Sequence, residues 1–460
     1  MATDTQADVQ VSLKVVVNKE TNKVLFAEAE KDFVDVLCSF LTLPLRTIAR
    51  LVENESTMGP VTIGSLNSLY RSVAALDNNC LWQQEDKKIL LHPRNMAEDF
   101  CNSLKLNIDD TQPKIYFVCE SISYLCDSIC CTSNSYCRCG KPRNQEASLK
   151  SSLKGFVNDV ATFVITDDLI VMPNSMDYSS FAHLQNSGIK HPCLLKEIIV
   201  NVTRKKSCLT DFLLEKKPII QTPTFLSRSA ENNSSIKFKL KLVIRKSDGK
   251  FLYAQGDKDF ADMVLSFLTF PLGGVVRKLG GNSCVGSIDG LYKSVSGIDE
   301  NLYFMSKAAK NRLVDPCLFP QLKLSIQILP ILDSSELKYL VYHRYIDFGK
   351  KSFVHYLKAD ESVPANASNS NFLSLSGSES PGISDKGIVK GSKMFSVTDD
   401  LVVAPSSLFA DLNLISSLNI SFLDVKEKVV TIGLMECLNI LNASLTTTSA
   451  LSIGLRHLIS

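Results

Sequence analysis

The chain predicts an α+β fold made of two tandem homologous domains, each a mixed or antiparallel sheet with helices packed on it. Three observations predict it. The block KDFVDVLCSFLTLPL at 31–45 returns as KDFADMVLSFLTFPL at 258–272. Further blocks return in the same order: GSLNSLYRSV (64–73) as GSIDGLYKSV (286–295), and VITDDLIVMP (164–173) as SVTDDLVVAP (396–405). Each copy also runs from short β-branched stretches into amphipathic helical ones. A period this long implies two related domains, not a solenoid of short repeats. The expected division is 1–217, a linker at 218–235 rich in proline, serine and asparagine, and 236–460.

In the first half, Leu13–Val17 and Val24–Ala29 read as a β-hairpin. The repeated block follows. Phe33, Val36, Leu37, Phe40 and Leu41 lie on one helical face, as do Phe260, Met263, Val264, Phe267 and Leu268 in the second copy. Asp32 and Asp259 suit an N-cap or first turn, where orphan N–H groups favour an acid. Pro44 and Pro271 stop or kink the helix, and Leu45, Ile48, Leu51 and Val52 begin another apolar face. A helix is expected around Ile63, Leu66, Leu69, Tyr70 and Val73, a short strand at Lys88–Leu91, and a stronger strand at Lys114–Cys119. Strands are expected on either side of Thr166-Asp167-Asp168, then a helix at Tyr178–Gln185, a strand at Lys196–Val202 and a helix at Cys208–Leu214.

The second half repeats the order. Its hairpin turns at Asp248-Gly249, a strong turn signal, and Ile288, Leu291, Tyr292 and Val295 repeat the later helix. Lys338–His343 matches the strand before the cysteines, and 359–386 reads as a low-complexity loop rich in serine and asparagine. The tail Gly433–Ile459 reads as one or two helices. It is long enough for a membrane span, but Glu436, Arg456 and the interspersed polar residues argue against one.

Composition narrows the function classes. Of 460 residues, 45% are hydrophobic and 21% charged, a globular balance, and the net charge of +2 favours neither nucleic acid nor an anionic membrane. The N-terminus carries no basic segment followed by an apolar run, so a cytoplasmic or nuclear location is expected, without signal peptide or transmembrane segment. In such a compartment, clustered thiols read as a metal site before a disulfide framework. Six of the 14 cysteines lie between Cys119 and Cys139. A structural zinc bound by Cys119, Cys126, Cys137 and Cys139, with Cys130 as substitute for Cys126, is the metal expectation, since zinc takes four tetrahedral thiolates. Cys137-Arg138-Cys139-Gly140 resembles the second half of a zinc ribbon, but its spacing departs from the usual C-x2-C, and redox or incidental thiols are the competing readings. Cys38, Cys101, Cys208 and Cys437 lie in helical patterns and read as buried small hydrophobes.

Asp167-Asp168 and Asp399-Asp400 are paired carboxylates in equivalent places. They suit acid–base chemistry, but Thr-Asp-Asp between strands is also ordinary turn chemistry. No phosphate-binding loop or nucleophile elbow is present. A non-enzymatic interaction or scaffold protein with a protein partner is therefore the leading expectation. The competing one is an enzyme with its site between the repeats, using the Thr-Asp-Asp carboxylates.

The blocks KVLFAEAEKDFVDVLCSFLTLPL, GSLNSLYRSV, YFVC followed by CRCGKP, and VITDDLIVMP resemble a plant family known as domain-of-unknown-function 674. The resemblance covers nearly the whole chain. It implies tandem copies of one unit and a plant origin, and brings no reaction, substrate or catalytic residue. The second copy departs from the pattern in lacking the cysteine cluster.

Overall fold

The computed structural model describes residues 10–55, 63–82, 84–109, 115–119, 128–129, 136, 139–151, 155–159, 162–174, 184–185, 188–203, 236–283, 285, 287–318, 322, 324–331, 340–347, 352–359, 372–375, 387–391 and 393–458. The expected helix at Tyr178–Gln185 falls largely outside these, and the one at Cys208–Leu214 and the linker 218–235 fall wholly outside.

Alternation of apolar and polar residues builds the first hairpin from β1 (Gln10–Asn18) and β2 (Val24–Ala29). The repeated block then forms α1 (Lys31–Ser39), and a 3-10 turn at Phe40–Thr42 leads to Pro44. The turn tightens because Ser39 Oγ donates to Val36 O and Thr42 Oγ1 to Ser39 O, each at 2.7 Å. After it come α2 (Leu45–Glu55), α3 (Leu66–Ala75), α4 (Gln84–Leu91) and α5 (Glu98–Cys101). The strand expected at Lys88–Leu91 is thus a helix. A short apolar run does not distinguish the two, and here Leu90 is buried in the core while Lys87 Nζ donates to Leu76 O at 2.8 Å. Strands β3 (Ile115–Cys119), β4 (Ser128–Ile129), β5 (Arg143–Ser151), β6 (Phe163–Thr166), β7 (Val171–Pro173) and β8 (Leu195–Thr203) follow.

The second half supplies β9 (Phe238–Arg245), β10 (Phe251–Gly256), α6 (Lys258–Ser266), α7 (Leu272–Lys278), α8 (Ile288–Gly297), α9 (Glu300–Tyr303) and α10 (Lys307–Val314). It continues with β11 (Leu340–Asp347), β12 (Ser352–Ala359), β13 (Phe372–Leu375), β14 (Phe395–Thr398), β15 (Val403–Pro405), α11 (Leu408–Ser417), β16 (Val425–Ile432), α12 (Leu434–Thr446) and α13 (Ala450–Gly454). Strand β13 lies within the stretch expected as an irregular loop. Its Phe-Leu pair is embedded in serine and asparagine, and it gains strand form by pairing with β11 and β4.

Among the described residues the result is an α+β architecture with three sheets. Two have five strands and matching antiparallel orders, β7-β6-β2-β1-β8 and β15-β14-β10-β9-β16. The third is mixed and draws on both sequence halves in the order β3-β5-β12-β11-β13-β4, with β5 and β12 parallel. One hydrophobic core joins the halves, containing Leu41, Leu43 and Leu45 together with Phe267, Phe270 and Leu272.

Between the halves the backbone contacts are reciprocal. Leu45 N–H donates to Phe270 O at 2.9 Å, and Leu272 N–H to Leu43 O at 3.0 Å, around the Pro44–Pro271 bridge. Lys390 N–H donates to Cys80 O, and Asn158 N–H to Tyr303 O; Trp82 N–H donates to Ile388 O, and Met305 N–H to Phe156 O. The segment after α3 or α8 of each half therefore pairs with the segment that leads into β14 or β6 of the other half.

Candidate functional site

Each repeated helix carries a buried carboxylate. Asp35 Oδ1 accepts from Phe156 N–H at 2.8 Å and Val157 N–H at 2.9 Å, and Asp262 Oδ1 from Ile388 N–H at 3.1 Å and Val389 N–H at 2.9 Å. The approach requires Gly155 (φ +79°) and Gly387 (φ +86°), where a Cβ would stand 1.9 Å and 2.0 Å from the carboxylates. Burial pushes Asp35 up to about 6, moderated by Lys31, whose Nζ lies 3.1 Å from its Oδ2. Asp262 is pushed up to about 7 by the same cause, and its Oδ2 has no hydrogen-bond partner among the described residues. These groups clamp the segments that enter β6 and β14. Sequence reading passed over them because each sits among apolar neighbours on a core-facing helix.

The Thr-Asp-Asp pairs are turn residues. Leu169 (φ 56°) and Leu401 (φ 64°) close tight turns in which their N–H groups donate to Thr166 O and Thr398 O at 2.9 Å. Asp168 is exposed, and Asp167 lies 4.0 Å from Lys23 Nζ. Asp400 accepts from Thr398 Oγ1 at 2.5 Å. Asp399 accepts from Ser452 N–H at 2.7 Å and Ser452 Oγ at 2.8 Å, anchoring α13; its own carboxyl is raised, first by burial.

Of the expected zinc ligands, Cys119 and Cys139 come together, with sulfurs 3.4 Å apart. Cys126, Cys130 and Cys137 lie outside the described residues. Cys119 ends β3 opposite Arg143 of β5, next to a register shift, and Cys139 precedes Gly140, which takes a φ of +80°. The buried Arg143 donates to Tyr136 O at 2.7 Å, tying the loop across its base. Two thiolates on one tetrahedral zinc stand about 3.8 Å apart for bonds of about 2.3 Å, whereas a disulfide requires about 2.05 Å. Among the described residues no group of three His, Cys, Asp or Glu side chains is placed to hold a metal ion. Cys38, Cys101 and Cys437 are buried, and burial raises each thiol well above its ordinary range, so they are inert fillers.

A groove of about 670 Å³ lies on the first five-stranded sheet. Leu13, Val15, Ala27, Phe33, Ile165 and Leu169 form its apolar lining, and Asp167 and Thr166 are polar groups on it. Concave, mostly apolar surfaces with a few polar groups are the usual composition of recognition sites. Among the described residues no helix is long and apolar enough to cross a membrane. No curated protein and no solved structure matches the chain. Across residues 7–435 it matches the model of the family described as Protein of unknown function (DUF674), and it belongs to that family.

Proposed function

We propose that this is a non-enzymatic interaction or scaffold protein built from two copies of one unit, residues 1–217 and 236–460, with 218–235 as linker. The observation that carries it is the groove on the first sheet. Its lining is apolar, and its one acid, Asp167, belongs to a turn whose counterpart, Asp399, serves as a structural anchor. Such a surface recognises an apolar element of a protein partner; acid–base chemistry needs convergent titratable groups. A partner in the cytoplasm or nucleus of a plant cell fits the balanced charge and the family resemblance.

Affinity capture tests this reading. The immobilised full-length chain is expected to retain a reproducible protein from plant tissue extract. Retention of nothing above control, together with a metabolite that raises the melting temperature and loses that effect in Asp167→Asn, would replace it with the enzymatic reading.

The same reading includes a structural zinc on the first unit, held by Cys119, Cys126, Cys137 and Cys139, with Cys130 as substitute for Cys126. The Cys119–Cys139 sulfur separation supports it. Metal analysis of purified protein is expected to find about one zinc per chain, lost in Cys139→Ser. A content below about one zinc per ten chains would remove the staple.

A further inference from the structure

We propose that the first half of the chain carries a binding site for a phosphate group, formed by Arg46 and Arg50 of α2 with Lys88 and His92 at the end of α4. The duplication supplies the comparison. Position for position, these four residues stand where the second half has Gly273, Arg277, Asn311 and Asp315. Backbone bonds fix the last two matches: His92 N–H donates to Lys88 O at 2.8 Å, as Asp315 N–H does to Asn311 O at 2.9 Å. Nearby, Lys87 Nζ donates to Leu76 O and Lys310 Nζ to Ile298 O in the same equivalent places. In the second half Arg277 Nη1 meets the Asp315 carboxylate, so the cluster is neutral. The first half puts an imidazole where that carboxylate stands and adds Arg46 and Lys88. With His92 neutral it carries three positive charges.

Arg46 has no equivalent. At Gly273 a Cβ would stand 2.2 Å from Leu313 O, so the second half has no room for a side chain there. In the first half the buried guanidinium lies 3.1 Å from the centroid of the Tyr70 ring, a cation–π contact. Its Nε and Nη1 have no hydrogen-bond partner among the described residues, which costs stability unless a negative charge compensates it. Glu53, further along α2, accepts from Arg71 at 2.7 Å. Burial first, then Arg46 and Arg50, push His92 below its ordinary value, the response of an imidazole in a positive field. Arg46 and Arg50 share one face of α2, a turn apart. His92 is exposed and Arg50 and Tyr70 are half-buried, so a ligand meets the cluster from solvent with Arg46 beneath it. A phosphate suits this set. Its oxygens accept from guanidinium N–H edges, and its double charge matches several cations.

The site stands independently of the interaction reading and of the groove. Inorganic phosphate and O-phosphoserine are the probes, each titrated into the full-length protein by calorimetry in low-salt buffer. Saturable one-to-one binding is expected, weakening as salt rises. Arg46→Gln should weaken it about ten-fold, as loss of a charged partner does. His92→Asp, which installs the residue of the second half, should abolish it. That variant should keep the melting temperature of the unaltered protein, since Arg277 and Asp315 already form the pair it creates. Binding of both probes assigns the site to esterified as well as free phosphate, and binding of one alone identifies which is the ligand. Saturable binding of neither, or binding that is unchanged in His92→Asp, would overturn the proposal.

Discussion

Residues 1–217 and 236–460, expressed as separate chains, are expected to aggregate or stay unfolded apart and to co-purify as a one-to-one complex when expressed together. The two halves do not close separate cores. Leu41, Leu43 and Leu45 pack in one cluster with Phe267, Phe270 and Leu272. Burying a large apolar side chain stabilises by about 1.5–3 kcal/mol. Exposing even these six would therefore cost on the order of 10 kcal/mol, comparable to the whole stability of a typical domain. Separation also breaks the reciprocal hydrogen bonds at Leu43–Leu45 with Phe270–Leu272 and at Cys80–Trp82 with Ile388–Lys390, and divides the third sheet between β5 and β12. Circular dichroism melts of each fragment decide the matter. A cooperative transition in either fragment alone, near that of the full chain, would show self-sufficient halves.

Asp35→Ala and Asp262→Ala are each expected to destabilise the fold by about 2–4 kcal/mol, because each strands two buried backbone N–H groups. Asparagine keeps an acceptor and should cost much less at either position. The pair also sets a pH dependence. Both carboxyls are raised in the folded chain, to about 6 for Asp35 and about 7 for Asp262, above the ordinary 3.8. The folded state thus binds the proton more tightly, so the stabilisation is fully present below about pH 4 and is lost as pH rises through 6 to 7. Relative to Asp262→Asn, the unaltered protein should lose stability over that window, and chemical denaturation at several pH values measures it. A difference between the two that stays constant from pH 4 to pH 8 would rule out the buried-acid account.

The elements themselves were legible because their signals are local. Phe33, Val36 and Leu37 mark a helical face, Asp248-Gly249 turns the second hairpin, and the repeated Thr-Asp-Asp blocks lie between strands. The Lys88–Leu91 stretch reads as a strand because three successive apolar residues, Ile89, Leu90 and Leu91, fit either period, and only its packing against the core selects a helix. Asp35 and Asp262 carried no visible signal. An acid on an otherwise apolar helix face is recognised as a clamp only once the Phe156 and Ile388 amides are seen to reach it.

The sequence by itself determined that two copies of the same strands and helices follow one another, and that only the first bears clustered cysteines. Tertiary structure alone decided which copy each apolar face meets. The two copies present near-identical surfaces, so pairing within a half and pairing across halves look alike in sequence; the choice falls to chain connectivity and the shared core. It also decided the groove. The strands beneath it match those of the second sheet, whose equivalent face is buried beneath α12 and α13 in the main core.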